Sequence, residues 1–344
     1  MKKVFAVTAV IALLCLGGIA QASITIDTVT VGDPGNPGEL SGAGAGGSSA
    51  DRICGSVGYS YNIGKYEVTA GQYTAFLNAV AATDTYALYN TNMGNPNAGD
   101  YGYGCNIQRS GSSGNYSYSV ASDWANRPVN FVSFWDSCRF ANWLGNGQGT
   151  GSTETGAYTL DGYNGDDGRT IQRNANWKWA VTSEDEWYKA AYYKGGGTNA
   201  GYWLYPTSSD TAPGQDMADA SGNNANYWTA PCAWPIDSGK YTTVAGEFQN
   251  SDSPYGTFDQ GGNVFEWNEA IVYQDATQAI RGLRGGSFYG SDHYLQASGR
   301  SSGIPAYEYD SVGFRVSGVV PEPSSLIALG SGILALAGMI RRRR

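Results

Sequence analysis

The sequence predicts an α+β fold made of short strands, few helices and much irregular backbone. Three observations carry that expectation. Glycine supplies 49 of 344 residues, about twice its usual share. Only three segments combine a helix start signal with helical apolar spacing. No 20–50-residue repeat is visible, which argues against solenoids and propellers. Ten tryptophans among so many loops also do not suit a doubly wound α/β domain.

Ile24-Thr-Ile-Asp-Thr-Val-Thr-Val31 alternates apolar and polar residues and is read as an opening strand. Residues 32–50, rich in Gly, Pro and Ser, are read as a loop. The first helix starts at Thr69, where Gln72 completes a capping box and Tyr73, Phe76, Leu77 and Val80 follow at helical spacing. The second starts at Ser133 with Asp136 at the third position, buries Trp135, Phe140 and Leu144, and stops at Gly145. The third starts near Ser183 with Glu186, runs through Trp187, Ala190 and Ala191, and ends by Gly195. Long loops need tying down by disulfides, metal or aromatic packing, and the chain has residues for all three.

Both ends read as targeting segments. Lys2 and Lys3 precede an apolar run from Val4 to Ala20, and Ala20-Gln-Ala22 is a small-x-small cleavage signal, so residues 1–22 are expected to be a secretory signal peptide. At the other end stand Pro321-Glu-Pro323, an apolar run from Leu326 to Ile340, and Arg341 to Arg344. That run is short for a membrane span, and the arginines would keep the C-terminus on the cytoplasmic side. The order of these parts resembles the PEP-CTERM sorting tail, which implies exosortase as a partner and export to the bacterial envelope or matrix. A retained single-span anchor is the alternative. The resulting division is 1–22, a folded domain over 23–318, and a sorting tail over 319–344 with a short transmembrane helix.

Removing residues 1–22 and 324–344 leaves 15 basic residues against 30 acidic ones, a net charge of −15. That balance disfavours nucleic acid and anionic lipid, so membrane contact is expected only through the tail. It suits divalent cations and neutral or cationic partners. Cys54, Cys105, Cys138 and Cys232 remain after the signal peptide leaves. Four cysteines in an oxidising compartment permit two disulfides and three connectivities. Cys54 with Cys105 is the pair expected from their Gly/Tyr-rich settings, and Cys138 in a helix is read as a buried small hydrophobe. His293 is the only histidine, which excludes a three-histidine metal site and disfavours a histidine-based triad.

Thr257-Phe-Asp-Gln-Gly-Gly-Asn-Val-Phe-Glu-Trp267, Arg281-Gly-Leu-Arg-Gly-Gly-Ser-Phe288, Ser298-Gly-Arg-Ser301 and Gly313-Phe-Arg-Val316 resemble the core of the formylglycine-generating enzyme family, the sulfatase-modifying-factor domain. Upstream, Tyr61-Asn-Ile-Gly-Lys-Tyr-Glu-Val-Thr69, Arg127-Pro-Val-Asn-Phe-Val-Ser-Phe-Trp-Asp136, Ala141-Asn-Trp-Leu-Gly145 and Asn226-Tyr-Trp228 fit the same pattern. Ala180-Val-Thr-Ser-Glu-Asp-Glu-Trp187 fits it in part, with Val181 and Thr182 where the family has Leu-Pro. The resemblance implies a C-type-lectin-like variant with short mixed sheets. In the oxidases two copper-binding cysteines follow the Gly-Gly-Ser-aromatic run. Here those places read Gly290 and about Leu295, and no cysteine follows Cys232. Copper(I) needs soft thiolate ligands, so copper and the oxidase reaction are not expected.

Asp259, Gly262, Val264 and Glu266 supply two carboxylates on a glycine-bent segment, a pattern suited to calcium. The family holds calcium at these places, using the carbonyls of the Gly and Val equivalents. A plain β-turn with a solvated Glu266 is the alternative. A second family site would use Asn226, the Tyr227 carbonyl and Asp237, although Pro231-Cys-Ala-Trp-Pro235 departs from the usual glycine-rich stretch. Asp161 to Gly168 lacks EF-hand spacing and is read as a solvated turn. Trp124, Trp135, Trp143, Trp187, Trp228 and Trp267 are expected mostly to pack the core. The Tyr-rich loops from Tyr86 to Tyr118 are expected to be exposed, as a contact face or as spacer.

The function expected from these features is an exported, non-catalytic, calcium-stabilised binding or structural module with a glycan or matrix-protein ligand. The enzymatic alternative is an oxidase or transferase that uses Arg284, Ser287 and Arg300 in the same pocket.

Overall fold

The computed structural model describes residues 23–97, 103–218, 220–229, 236–237 and 239–320. Residues 1–22, the tail from Pro321 onward and Cys232 therefore lie outside the described residues. The strands are β1 (Thr28–Val31), β2 (Glu39–Ser41), β3 (Arg52–Cys54), β4 (Tyr61–Gly64), β5 (Ile107–Ser110), β6 (Ser117–Val120) and β7 (Trp179–Val181), followed by β8 (Phe265–Gln274), β9 (Ala279–Arg284), β10 (Ser301–Gly303), β11 (Val312–Gly313) and β12 (Val316–Val319). The α-helices are α1 (Ala70–Val80), α2 (Phe134–Gly145) and α3 (Glu184–Tyr192).

One sheet has the antiparallel order β1-β4-β12-β7. The other, β10-β9-β8-β11, is mixed, because β11 runs parallel to β8. Two ribbons, β2-β3 and β5-β6, complete the arrangement. The strands from both ends of the chain meet in the first sheet, where β12 lies between β4 and β7.

The three helices start where their capping signals stand. Thr69, Ser133 and Ser183 each accept from the backbone N–H three residues on, and Gln72, Asp136 and Glu186 return the bond. The main core gathers α1, α2 and the second half of the chain. The Phe140 ring lies 6.1 Å from Tyr73, 5.4 Å from Phe76, 5.6 Å from Trp143 and 5.3 Å from Phe314. Trp267 is buried, and its indole N–H donates to the Val132 carbonyl at 2.9 Å. Trp124, Trp135, Trp143 and Trp187 are buried as expected, whereas Trp228 is 42 % exposed.

Four expectations are corrected. The opening strand begins at Thr28 rather than Ile24, because Gln148 takes up the Ile24 backbone: Oε1 accepts its N–H at 2.7 Å and Nε2 donates to its carbonyl at 2.9 Å. Residues 32–50 are not all loop, since Glu39–Ser41 pairs with Arg52–Cys54. Cys54, Cys105 and Cys138 are free buried thiols. Cys54 packs with Trp187 and Tyr188, and Cys105 packs in the main core, so the two do not pair. The Tyr-rich segment folds inward: Tyr89 and Tyr118 are buried, and the Arg109 guanidinium lies 4.7 Å from the Tyr89 ring and 4.4 Å from Tyr116.

A carboxyl pair links α2 to the segment before β11. Asp136 accepts from Ser133 Oγ at 2.6 Å and contacts Glu308, which Asn90 also holds. Burial, then the Asp136 charge, pushes Glu308 up to about 8, and burial pushes Asp136 up to about 6. The pair therefore keeps one proton near neutrality. The folded state binds that proton more tightly than the unfolded chain does. The contribution is thus complete below Glu308's ordinary 4.5 and is lost as pH rises through about 8. Urea melts of Glu308→Gln are expected to depend less on pH between about 5 and 8 than wild type, and to show higher stability at about pH 8–9. A parallel pH profile for variant and wild type would remove the pair from the account.

Candidate functional site

The segment that turns from Thr257 into β8 brings charge into the interior. Asp259 and Gly262 both adopt positive φ, +59° and +87°. At Gly262 a Cβ would lie 2.2 Å from the Asn226 carbonyl, so only glycine fits there. Gly262 N–H donates to the Gly285 carbonyl at 2.8 Å, which ties this turn to the Gly-Gly-Ser strand. Glu266 then enters the core fully buried. Its Oε1 accepts from Arg315 Nη2 at 2.6 Å, and its Oε2 accepts from Arg315 Nε and Trp187 Nε1, both at 2.6 Å.

Those three donors occupy most of the Glu266 acceptor capacity. The neighbourhood still holds surplus negative charge. Glu67 is 1 % exposed, and its Oε1 has no hydrogen-bond partner. Burial, then Asp259 and Glu266, raises its carboxyl well above the usual range. Burial also pushes Asp259 up to about 6, although its Oδ2 accepts from Gly246 N–H at 2.6 Å. Three carboxylates thus share one guanidinium, and a dry interior penalises the excess unless a proton or a cation offsets it. The donor set suits a calcium-type cation on those grounds. Among the described residues no three acidic side chains converge tightly enough to hold a metal by themselves, so the carbonyls of Gly262 and Val264 would have to complete the shell.

The second set divides. Asn226 Oδ1 is buried without a partner, while its Nδ2 donates to the Tyr241 carbonyl at 2.8 Å and to Asn263 Oδ1 at 3.2 Å. That oxygen fits a cation ligand. The Tyr227 carbonyl, by contrast, already accepts from Gln215 Nε2. Asp237 is ion-paired with Arg127, which also donates to the Thr242 carbonyl. Residues 230–235 between them lie outside the described residues.

Arg284 and Arg300 converge on Glu184, the first residue of α3. Arg284 Nε donates to Glu184 Oε1 at 2.9 Å, Arg300 Nη2 donates to Oε2 at 2.9 Å, and Arg52 Nη1 lies 3.0 Å from Oε2. Burial alone would raise the Glu184 carboxyl, but Arg284, Arg300 and Arg52 together hold it below the usual range. Arg284 also donates to the carbonyls of Ala297 at 3.0 Å and Gly299 at 2.7 Å. Ser287 is buried and accepts from Tyr289 N–H at 3.2 Å. All three side chains face protein partners.

At the place of the first family thiol, the Gly290 carbonyl accepts from Trp228 N–H at 2.8 Å. Leu295, about where the resemblance puts the second, is fully buried against Tyr205, Ala225 and Tyr227.

The match of residues 55–318 to the sulfatase-modifying factor enzyme 1-like domain places this chain in that family. Residues 319–344 match the PEP-CTERM protein-sorting motif. The chain is therefore exported and sorted to the envelope or extracellular space of a bacterium, and the motif marks it for exosortase processing. No curated protein is significantly similar in sequence. Among solved structures, CarF superposes with a TM-score of 0.51 at 20 % identity, over 86 % of this chain and 99 % of that one. PvdO from Pseudomonas aeruginosa follows at a TM-score of 0.46 and 16 % identity, over 85 % and 94 %. The first likeness supports the fold and nothing finer. Among the described residues no helix is long and apolar enough to cross a membrane; the apolar run before the final arginines lies beyond them.

Sequence reasoning missed Glu67, Glu184 and Arg315, although all three sit inside motif segments. The available signal was a charge flanked by residues that must be buried, as in Tyr66-Glu-Val68 and Phe314-Arg-Val316. Glu184→Gln leaves Arg284 and Arg300 buried opposite a neutral group. Chemical denaturation is expected to show a loss of about 3–5 kcal/mol; a loss below about 1 kcal/mol would mean that the hub is dispensable.

Proposed function

We propose that the exported domain is a non-catalytic member of its family, a calcium-stabilised binding or structural module that works in the extracellular matrix. The carrying observation is Leu295, an apolar side chain packed among Tyr205, Ala225 and Tyr227 at about the place where the resemblance puts a thiolate of the oxidases. A buried hydrocarbon there can neither bind copper nor carry sulfur chemistry. Arg284, Ser287 and Arg300 support the same reading, because their polar atoms are committed to Glu184 and to backbone groups. Their role is to fix the loops around a former reaction centre. The export motif supplies the setting, and the acidic surface suits neutral or cationic partners.

Calcium belongs to this reading through charge. The Glu67–Asp259–Glu266 group and the orphaned Asn226 oxygen each gain from a divalent cation. The carbonyls of Gly262 and Val264 would complete the first shell, and Asn226 would anchor the second.

Two measurements check these statements. Purified protein incubated with copper and a cysteine-containing sulfatase peptide is expected to yield no formylglycine by mass spectrometry; conversion would overturn the non-catalytic reading. Adding calcium to EDTA-treated protein is expected to raise its melting temperature, at about 2–4 °C per kcal/mol of binding energy. Identical melting in EDTA and in millimolar calcium would remove calcium from the proposal.

A further inference from the structure

A cleft of about 220 Å³ opens between the β2 ribbon and the segment before Tyr205. Its wall includes Glu39, Leu40, Tyr202, Trp203, Asp210 and Ser298. Glu39 and Leu40 precede the family-matched residues 55–318, so one side of the cleft comes from sequence outside the family match, while Tyr202, Trp203, Asp210 and Ser298 lie within it. The loop after β2 is fastened in place: Ser41 Oγ donates to the Ala297 carbonyl at 2.8 Å, and a Cβ on Gly47 would lie 2.0 Å from the Ser298 carbonyl.

The polar groups in this cleft are only half committed. Glu39 Oε1 accepts from Tyr188 OH at 2.7 Å, and Asp210 Oδ1 accepts from Leu204 N–H at 3.0 Å. Each carboxylate keeps a second oxygen. Ser298 is 4 % exposed, and its hydroxyl has no partner. That oxygen is enclosed by protein and does not open onto the cleft. Leu40 and Leu204, two of the few exposed large apolar residues, stand at the same cleft. Aromatic walls with a few convergent polar groups make a ligand site.

The occupant follows from what is already satisfied. Lys194 Nζ lies 4.2 Å from the centroid of the Trp203 ring, and its charge also acts on Glu39. The acidic wall thus has its own cation. What stays unmatched is a set of oxygens beside an apolar surface. A pyranose ring answers both, since its hydroxyls donate to carboxylates in charge-assisted bonds and its C–H face packs against aromatic rings. The volume equals about seven waters at ~30 Å³ each, room for one sugar ring.

We propose that this cleft is a subsite for one neutral saccharide unit, with Glu39 and Asp210 accepting from its hydroxyls and Trp203 and Tyr202 packing its apolar face. The proposal rests on the binding-module reading and names its ligand class.

Saturation-transfer NMR on the full chain tests it, with methyl glycosides of glucose, galactose, mannose and N-acetylglucosamine as probes and methylamine as a cationic control. Transfer to the ring protons of at least one glycoside is expected. Trp203→Ala should weaken that binding at least about tenfold, as should Asp210→Asn, an exposed change whose amide oxygen can still accept from Leu204 N–H. Unchanged melting temperatures would show that the variants are folded. The cleft assignment is overturned by absence of transfer from all four glycosides, by equal binding in the folded variants, or by methylamine binding in their place. Each of those results leaves the non-catalytic reading standing, because that reading falls only on formylglycine production.

Discussion

The Arg315 guanidinium, fully buried and gripped on two edges by Glu266, also donates to the carbonyls of Gly64 at 3.0 Å and Phe258 at 2.9 Å. It therefore joins the end of β4, the turn before Gly262 and the start of β8 through one side chain. Other arginines repeat this use. Arg284 holds the carbonyls of Ala297 and Gly299, and Arg281 holds those of Gly168, Ile171 and Glu269. Arg139 holds the Tyr163 carbonyl while pairing with Glu154. A glycine-rich chain with short strands leaves many loop carbonyls without a ladder partner, and a buried carbonyl must be paired. Guanidinium groups supply several donors in a rigid fork, and carboxylates then balance their charge.

This solution makes the interior polar and interdependent. A buried ion pair adds little net stability against an apolar replacement, but breaking one half is costly. The carboxylates that balance arginines also cap helices: Glu186 closes the α3 capping box and accepts from Arg173 at 2.7 and 2.8 Å. Where the balance is uneven, around Glu67 and Asp259, burial and mutual repulsion raise the carboxyls instead.

Much of this was legible in the sequence, for physical reasons. The three helices could be placed because Thr69, Ser133 and Ser183 cap through local bonds that depend on spacing alone. The mixed sheets came from the family likeness, since all strands but β8 and β9 run only two to four residues and carry too little periodicity to read. The Ile24 boundary was missed because Gln148, 124 residues away, replaces a ladder partner. The β2-β3 ribbon was hidden under glycine-rich composition. Cys54 and Cys105 looked alike by neighbourhood yet belong to different clusters, a distinction set by tertiary packing. The Tyr-rich segment turned inward because Arg109 satisfies its rings. For the candidate site, Asp259 and Gly262 were legible from glycine-bent spacing. The commitment of Glu266 to Arg315 was not, because the two lie 49 residues apart in sequence.

Native-state hydrogen exchange in Arg315→Met tests most directly whether interior guanidinium–carboxylate pairs hold the loops in register. The informative amides are Phe258, Gly262 and Asn263, which donate to the carbonyls of Lys65, Gly285 and Asn226. If the arginine organises this region, these amides should exchange by local opening in the variant while α1 and α2 remain protected at the global level. Protection at all three that falls only in step with global stability would contradict the account.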